Sequence, residues 1–234
     1  MRGITPKVTV FPGDFEIDNS WQRVLVSIVL DFSGSMYKYT SFLPGSWEAL
    51  INYFHDRPME RLAIELACCP FSTNVEFYDY APTSFYTGKP MTFDKVGFTS
   101  LGTALLTVIE STRQRRRMLA AEGISSLRPI SFVITDGGAS DGPVFEKAIE
   151  EVRGCATERE IDFIPVTPKA DCLELLAWIF GQEAIPFDAL DFDDIFAAFG
   201  RSVSRYSMSE IGYEPSATSL LKTEVKREVK RIAQ

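Results

Sequence analysis

Apolar residues along this chain occur in two patterns: short unbroken runs, and longer stretches in which they recur every three or four positions. Residues 24–30 (VLVSIVL) form a run of the first kind, seven apolar or small residues, and it breaks abruptly into Asp31-Phe32-Ser33-Gly34-Ser35. A run of that length, rich in β-branched residues and closed by Ser and Gly, predicts a strand buried on both faces. Residues 63–70 (AIELACCP), 74–78 (NVEFY), 129–135 (PISFVIT) and 161–166 (IDFIPV) read the same way, as does a short final run at 187–190. Residues 8–11 add one more short candidate, stopped by Pro12-Gly13.

Helical spacing appears between these runs. Leu50, Tyr53 and Phe54 share a face within 46–54, and Leu105, Val108, Ile109, Thr112, Met118 and Leu119 share one in a long helix starting beside Thr99. Ala148, Ile149 and Val152 follow a start at Asp141-Gly142-Pro143, with Pro at an N1-like position. Residues 173–180 predict a further helix, and Ile195, Phe196, Phe199 and Val203 a closing one over 193–208. Strands alternating with helices predict a three-layer α/β/α sandwich, doubly wound around a mostly parallel six-stranded sheet. The turn at Ser72-Thr73 makes its two flanking strands a hairpin, and hence one edge strand antiparallel.

In this reading residues 1–22 are an N-terminal extension, 23–208 the domain and 209–234 a C-terminal tail. Val225, Val229 and Ile232 have amphipathic spacing in that tail, but helices so short are marginal alone. A frayed tail is therefore expected, with a short amphipathic helix as the alternative. Arg113, Arg115, Arg116 and Arg117 read as a solvated face at the end of the long helix.

Composition narrows the function classes. The 234 residues are 45% hydrophobic and 24% charged, ordinary for a globular chain with a full core. A net charge of −8 argues against a partner read through phosphates, so no nucleic acid is expected. No run reaches the ~18 apolar residues of a membrane span, so no membrane partner is expected either. Cys68, Cys69, Cys155 and Cys172 form no C-x-x-C pair, and the first two lie inside an apolar run as buried thiols. That usage suits a reducing compartment, and a cytoplasmic location is expected.

The candidate chemistry lies at the carboxyl ends of the buried strands, where open α/β sheets bind ligands. Asp31, Ser33 and Ser35 alternate, so one tight loop can turn three oxygens toward one point, with Gly34 giving the backbone its freedom. The long helix begins beside Thr99, and a second buried strand ends at Asp136. Carboxylates and hydroxyls converging in this way are hard ligands suited to Mg²⁺ or Mn²⁺. The bland alternative is that Asp31 and Asp136 only satisfy their own loops.

Asp31-Phe32-Ser33-Gly34-Ser35, Thr99 within Gly-Phe-Thr-Ser-Leu-Gly, and Thr135-Asp136-Gly137 together resemble the metal-ion-dependent adhesion site of von Willebrand factor type A domains. The resemblance covers residues 22–208 and implies a Rossmann-like fold of that family. Within it the chain is similar to the bacterial TerY-like proteins of tellurium-resistance and stress clusters. The residues that carry this narrower likeness are Leu30 to Met36, Ile134 to Gly137, and Phe196-Ala197-Ala198-Phe199-Gly200 with Ser202-Val203-Ser204. The resemblance implies a divalent cation (Mg²⁺, or Mn²⁺ or Ca²⁺) held by Ser33, Ser35 and Thr99, with Asp31 and Asp136 bound directly or through water. It further implies an open coordination position for an acidic residue of a protein partner, such as a kinase or phosphatase of the same gene cluster.

One segment departs from the family pattern. Gly137-Gly138-Ala139-Ser140-Asp141 replaces the usual Pro-Thr-Asp ending, and Asp141 reads as the start of the next helix rather than a ligand. Asp188, Asp191, Asp193 and Asp194 lack EF-hand spacing and read as helix-start acids. The expected function is a metal-dependent protein–protein interaction module and not an enzyme. His55 is the single histidine and reads as a surface residue, and neither a G-x-S-x-G elbow nor a P-loop is present. The alternative is a metal-assisted phosphoryl-processing hydrolase using Asp31, although the usual second acid two residues on is here Ser33.

Overall fold

A computed structural model describes residues 4–10, 22–57, 63–86, 97–187, 192–208 and 215–232. The strands are β1 (Lys7–Thr9), β2 (Val24–Asp31), β3 (Ile64–Phe71), β4 (Glu76–Pro82), β5 (Ile130–Ile134), β6 (Asp162–Thr167) and β7 (Ile185–Pro186). The helices are α1 (Tyr37–Thr40), α2 (Leu43–His55), α3 (Leu101–Ala121), α4 (Pro143–Thr157), α5 (Leu173–Phe180), α6 (Phe192–Ser207) and α7 (Ala217–Ile232).

All seven strands join one sheet in the order β1-β4-β3-β2-β5-β6-β7. β2 lies at the centre with all eight residues buried, parallel to β3 and β5. Its alternation divides the core. Val24, Val26, Ile28 and Leu30 face the layer containing α2, α6 and α7, and Leu25 and Val29 face that containing α3, α4 and α5. Phe132 of β5 stacks on Phe199 of α6 with ring centroids 4.2 Å apart, joining sheet to helix on the first face. On the second face α3 approaches α4 closely: a Cβ at Gly102 would stand 2.5 Å from the Phe145 Cα, so only glycine fits there.

The three-layer, mostly parallel architecture expected from the alternation is present, with differences at the edges. The sheet has seven strands rather than six, because β1 pairs in parallel with β4. β4 is antiparallel to β3, so β1 and β4 both run against the central strands and the reversed edge is two strands wide. Of the expected last strand, residues 188–190 lie outside the described residues, and pairing with β6 falls earlier, at Ile185 and Pro186.

The C-terminal segment also differs. Residues 217–232 form a full helix packed on α6 rather than a frayed tail, with Ala217, Leu221 and Val225 buried. Glu224 has a side chain only 1% exposed, and it accepts bonds from Arg201 (3.0 Å) and Arg205 (3.0 Å) of α6 and from Arg227 (2.8 Å). Arg201 also pairs with Glu228. Tertiary packing thus supplies what a helix of this length lacks alone.

The arginine run is likewise not uniformly solvated. Arg113 bridges Glu151 (3.0 Å) and Glu160 (2.8 Å), and Arg117 pairs with Glu110 on the exposed face. Arg115 turns inward to Glu65 of β3. His55 hydrogen-bonds the Thr83 carbonyl at 2.9 Å. Among the described residues, no helix is long and apolar enough to cross a membrane.

Candidate metal centre

Asp31 is the last residue of β2, and its side chain is fully buried. Its Oδ1 accepts the Ser33 amide at 2.8 Å, closing the tight loop, and its Oδ2 accepts the Thr135 hydroxyl at 2.6 Å. The Thr135 Oγ1 in turn accepts the Gly137 amide at 3.0 Å. Register places Leu30 opposite Ile134, so these two loops leave the sheet side by side. Burial pushes the Asp31 carboxyl up to about 6, against the opposing pull of the Ser33 and Thr135 hydrogen bonds. Among the described residues, no basic side chain pairs with it.

Ser33 leads into a single 3₁₀ turn, Gly34–Met36, which turns the Ser33 and Ser35 hydroxyl oxygens to 3.3 Å of each other. Asp136 follows β5. Its Oδ1 accepts the Gly138 amide at 3.1 Å, and its Oδ2 accepts the Lys169 ammonium at 2.5 Å. Burial pulls the Asp136 carboxyl up, but hydrogen bonds from Lys169, Ser35 and Gly138 outweigh it and hold the group below its usual range. Gly137 sits at φ +81°, with three apolar side chains of α5 within about 3.3 Å of where a Cβ would be. Glycine after Asp136 therefore lets the loop turn under α5.

Asp31, Ser33 and Ser35 thus form one hydrogen-bonded group, and Thr135, which bonds Asp31, is followed directly by Asp136. Thr99 is placed next to it by backbone. The Ser140 amide donates to the Thr99 carbonyl at 2.7 Å, and the Thr99 amide donates to the Ser140 Oγ at 3.3 Å. Two residues earlier, the Gly97 carbonyl lies 4.0 Å from where a Gly34 Cβ would stand, bringing the strap against the serine loop. The Thr99 hydroxyl itself makes no hydrogen bond to the other four residues.

Two participants were not legible as site residues. Thr135 carried a signal, standing directly before Asp136, yet its side chain looked like one more strand position. Lys169 carried none, because it reaches Asp136 only through the adjacency of β5 and β6. Asp141 also takes a different partner from the one expected. Gly142 precedes α4, whereas Asp141 caps α3: its oxygens accept the Gly102 amide (3.2 Å), the Thr103 amide (2.7 Å) and the Thr103 hydroxyl (3.0 Å). Asp141→Ala is expected to cost about 1–2 kcal/mol, a few degrees in a thermal melt. A melt unchanged from wild type would show that the cap carries no stability.

The donor chemistry fits a hard divalent cation. Neighbouring ligands of octahedral Mg²⁺ at ~2.1 Å stand about 3.0 Å apart, close to the 3.3 Å between the two serine hydroxyls. Carboxylates from Asp31 and Asp136 supply charge near that of a dication. Among the described residues no group of three or more His, Cys, Asp or Glu that could hold a metal ion stands together, so a seat here would depend on hydroxyls as well as acids. Of the other acids, Asp193 accepts the Ser46 hydroxyl (2.7 Å) and Asp194 pairs with Arg231 (2.6 Å), both in the first turn of α6. Asp188 and Asp191 lie outside the described residues.

No protein-family model and no curated protein matches the sequence. Among solved structures, the chain resembles proximal thread matrix protein 1 from the mussel byssus, with TM-score 0.51 and 14% identity over 88% of this chain and 48% of that one. It also resembles the pilus adhesin SpaC from Lactobacillus rhamnosus GG in its open conformation, with TM-score 0.50 and 11% identity over 91% of this chain and 30% of that one. The chain spans less than half the length of either structure. At such identity the likeness concerns architecture alone, the three-layer, mostly parallel α/β sandwich described above.

Proposed function

We propose that the chain is a metal-dependent protein-interaction module, and that its site takes a carboxylate from a protein partner. The observation that carries this reading is Asp31: a buried carboxylate at the central strand's end, held by neutral donors and facing no cation among the described residues. Such a group is costly unless a positive charge arrives. In the proposed site the hydroxyls of Ser33, Ser35 and Thr99 bind the cation, and Asp31 and Asp136 hold it directly or through water. A bound Mg²⁺ or Mn²⁺ would supply an oxygen-seeking centre for the partner's acid. Asp31 fixes the serine loop through the Ser33 amide, and Thr135 fixes Asp31.

The name of one structural neighbour, a pilus adhesin, is consistent with an interaction role. The narrower likeness to TerY-like proteins supports a place in a bacterial tellurium-resistance or stress complex, with a kinase or phosphatase as partner. Four free cysteines suit the reducing cytoplasm in which we place it. The hydrolase alternative needs Asp31 as a nucleophile. Full burial, with both oxygens already bonded, argues against that role.

The test is retention of the full chain on arrays of Asp- and Glu-containing peptides, with Asn and Gln versions alongside. Acidic peptides are expected to hold wild type in Mg²⁺ or Mn²⁺ and to release it in EDTA, and neither Asp31→Ala nor Thr99→Val should be retained. Equal retention in EDTA would overturn the reading.

A further inference from the structure

We infer that Lys169 is a built-in counter-ion of this site: its ammonium holds Asp136 when no metal is bound, and a divalent cation is seated only by displacing it. The inference rests on the metal-site reading above and adds a residue that reading does not use. Lys169 lies two residues beyond β6, and its Nζ meets the Asp136 Oδ2 at 2.5 Å, with side chains 23% and 7% exposed. The contact is directional and half-shielded, unlike the surface ion pairs elsewhere on the chain.

Lys169 is also held from behind, by its own amide on the Thr167 Oγ1 at 3.2 Å. The Asp136 Oδ1 is occupied by the Gly138 amide, so Oδ2 is the oxygen free to change partners. Asp136 directly follows Thr135, whose hydroxyl bonds Asp31, which places the ammonium at the same strand ends that would seat the cation.

Charge shows why the two cations exclude each other. Asp31 and Asp136 carry two negative charges. A dication alone brings the site near neutrality, whereas a dication beside a retained ammonium leaves it positive and repels both. With the ammonium alone, Asp136 is paired and Asp31 is left without a cation. The arrangement therefore has two settled states, ammonium on Asp136 or metal in the seat. Passing between them needs only rotation of a long, partly exposed side chain.

The experiment measures Mn²⁺ affinity by calorimetry on the full chain, wild type against Lys169→Met and Lys169→Arg. The expected result is a Kd about tenfold or more tighter in Lys169→Met, and near wild type in Lys169→Arg, which keeps the charge. A second measurement does not depend on a variant folding. The rate of reductive methylation of Lys169 in wild type, followed by mass spectrometry, should rise when Mg²⁺ is added. Equal Mn²⁺ affinity in wild type and Lys169→Met, or a Lys169 methylation rate indifferent to Mg²⁺ in protein that binds it, would overturn the counter-ion and leave the metal site standing. Failure of wild type and Lys169→Met alike to bind Mn²⁺ would remove the metal site, and the inference with it.

Discussion

Replacing Glu65 with alanine is expected to lower stability by about 3–5 kcal/mol. Glu65 lies in β3 with its side chain 2% exposed, and both its oxygens accept bonds from Arg115 of α3, at 2.6 and 2.9 Å. The pair is planar and bidentate, and Arg115 is itself only 10% exposed. Removing the acid leaves a guanidinium with nowhere to deprotonate, facing the layer between sheet and helix. A chain of this size should lose roughly 10 °C or more in a thermal melt. The pair need not be a net source of stability, since apolar replacements of both partners often serve as well. Glu65→Leu with Arg115→Met should therefore recover most of the loss. A single variant melting within a degree or two of wild type would mean that water reaches the guanidinium and the pair is only superficial.

Asp31→Asn is expected to make the metal-free chain more stable while removing its affinity for Mn²⁺. Burial raises the Asp31 carboxyl from an ordinary 3.8 to about 6 in the folded chain. The unfolded chain therefore gives up this proton at lower pH than the folded one, and stability falls as pH rises across that window. Below 3.8 the group contributes no penalty, and above about 6 the penalty is complete, about 3 kcal/mol at 1.36 kcal/mol per pH unit. Asparagine has the same shape and no charge, but its NH2 cannot accept as the second Asp31 oxygen does, so at pH 8 the variant should regain only part of that amount. Its unfolding free energy should also lack the Asp31 slope between pH 4 and 6. Saturating Mg²⁺ should raise the melting temperature of wild type and leave the variant unmoved. A variant that is less stable than wild type at pH 8, or that binds Mn²⁺ as wild type does, would reduce Asp31 to a loop-closing residue. Such a trade of stability for affinity is characteristic of functional sites.

Much of the scaffold was legible along the chain because its signals are local. β2 was visible as an unbroken apolar run ending in a carboxylate, and the structure places it at the sheet centre with Asp31 at its end. The helix over Leu173–Phe180 has the bounds its spacing indicated. Ser33 and Ser35 turn together because the D-x-S-x-S loop is short enough to dictate its own geometry.

The edges were less legible. Residues 8–11 read as a short strand, and β1 covers Lys7–Thr9, but all three of its residues are exposed, so its pattern did not indicate a seat in the same sheet. The C-terminal helix looked too short to persist, because its anchors, Arg201 and Arg205, belong to a different helix.

By itself, then, the sequence determined which segments are buried and which three carry candidate oxygen donors to the sheet's carboxyl edge, because periodicity and turn chemistry act within a few residues. The tertiary structure alone decided the partners of the charged groups: Arg115 on Glu65, Asp141 on the neighbouring helix, Arg201 on Glu224 and Lys169 on Asp136. Each contact joins residues more than twenty positions apart. Strand order and helix packing bring such groups within reach, and neither is written in the local pattern.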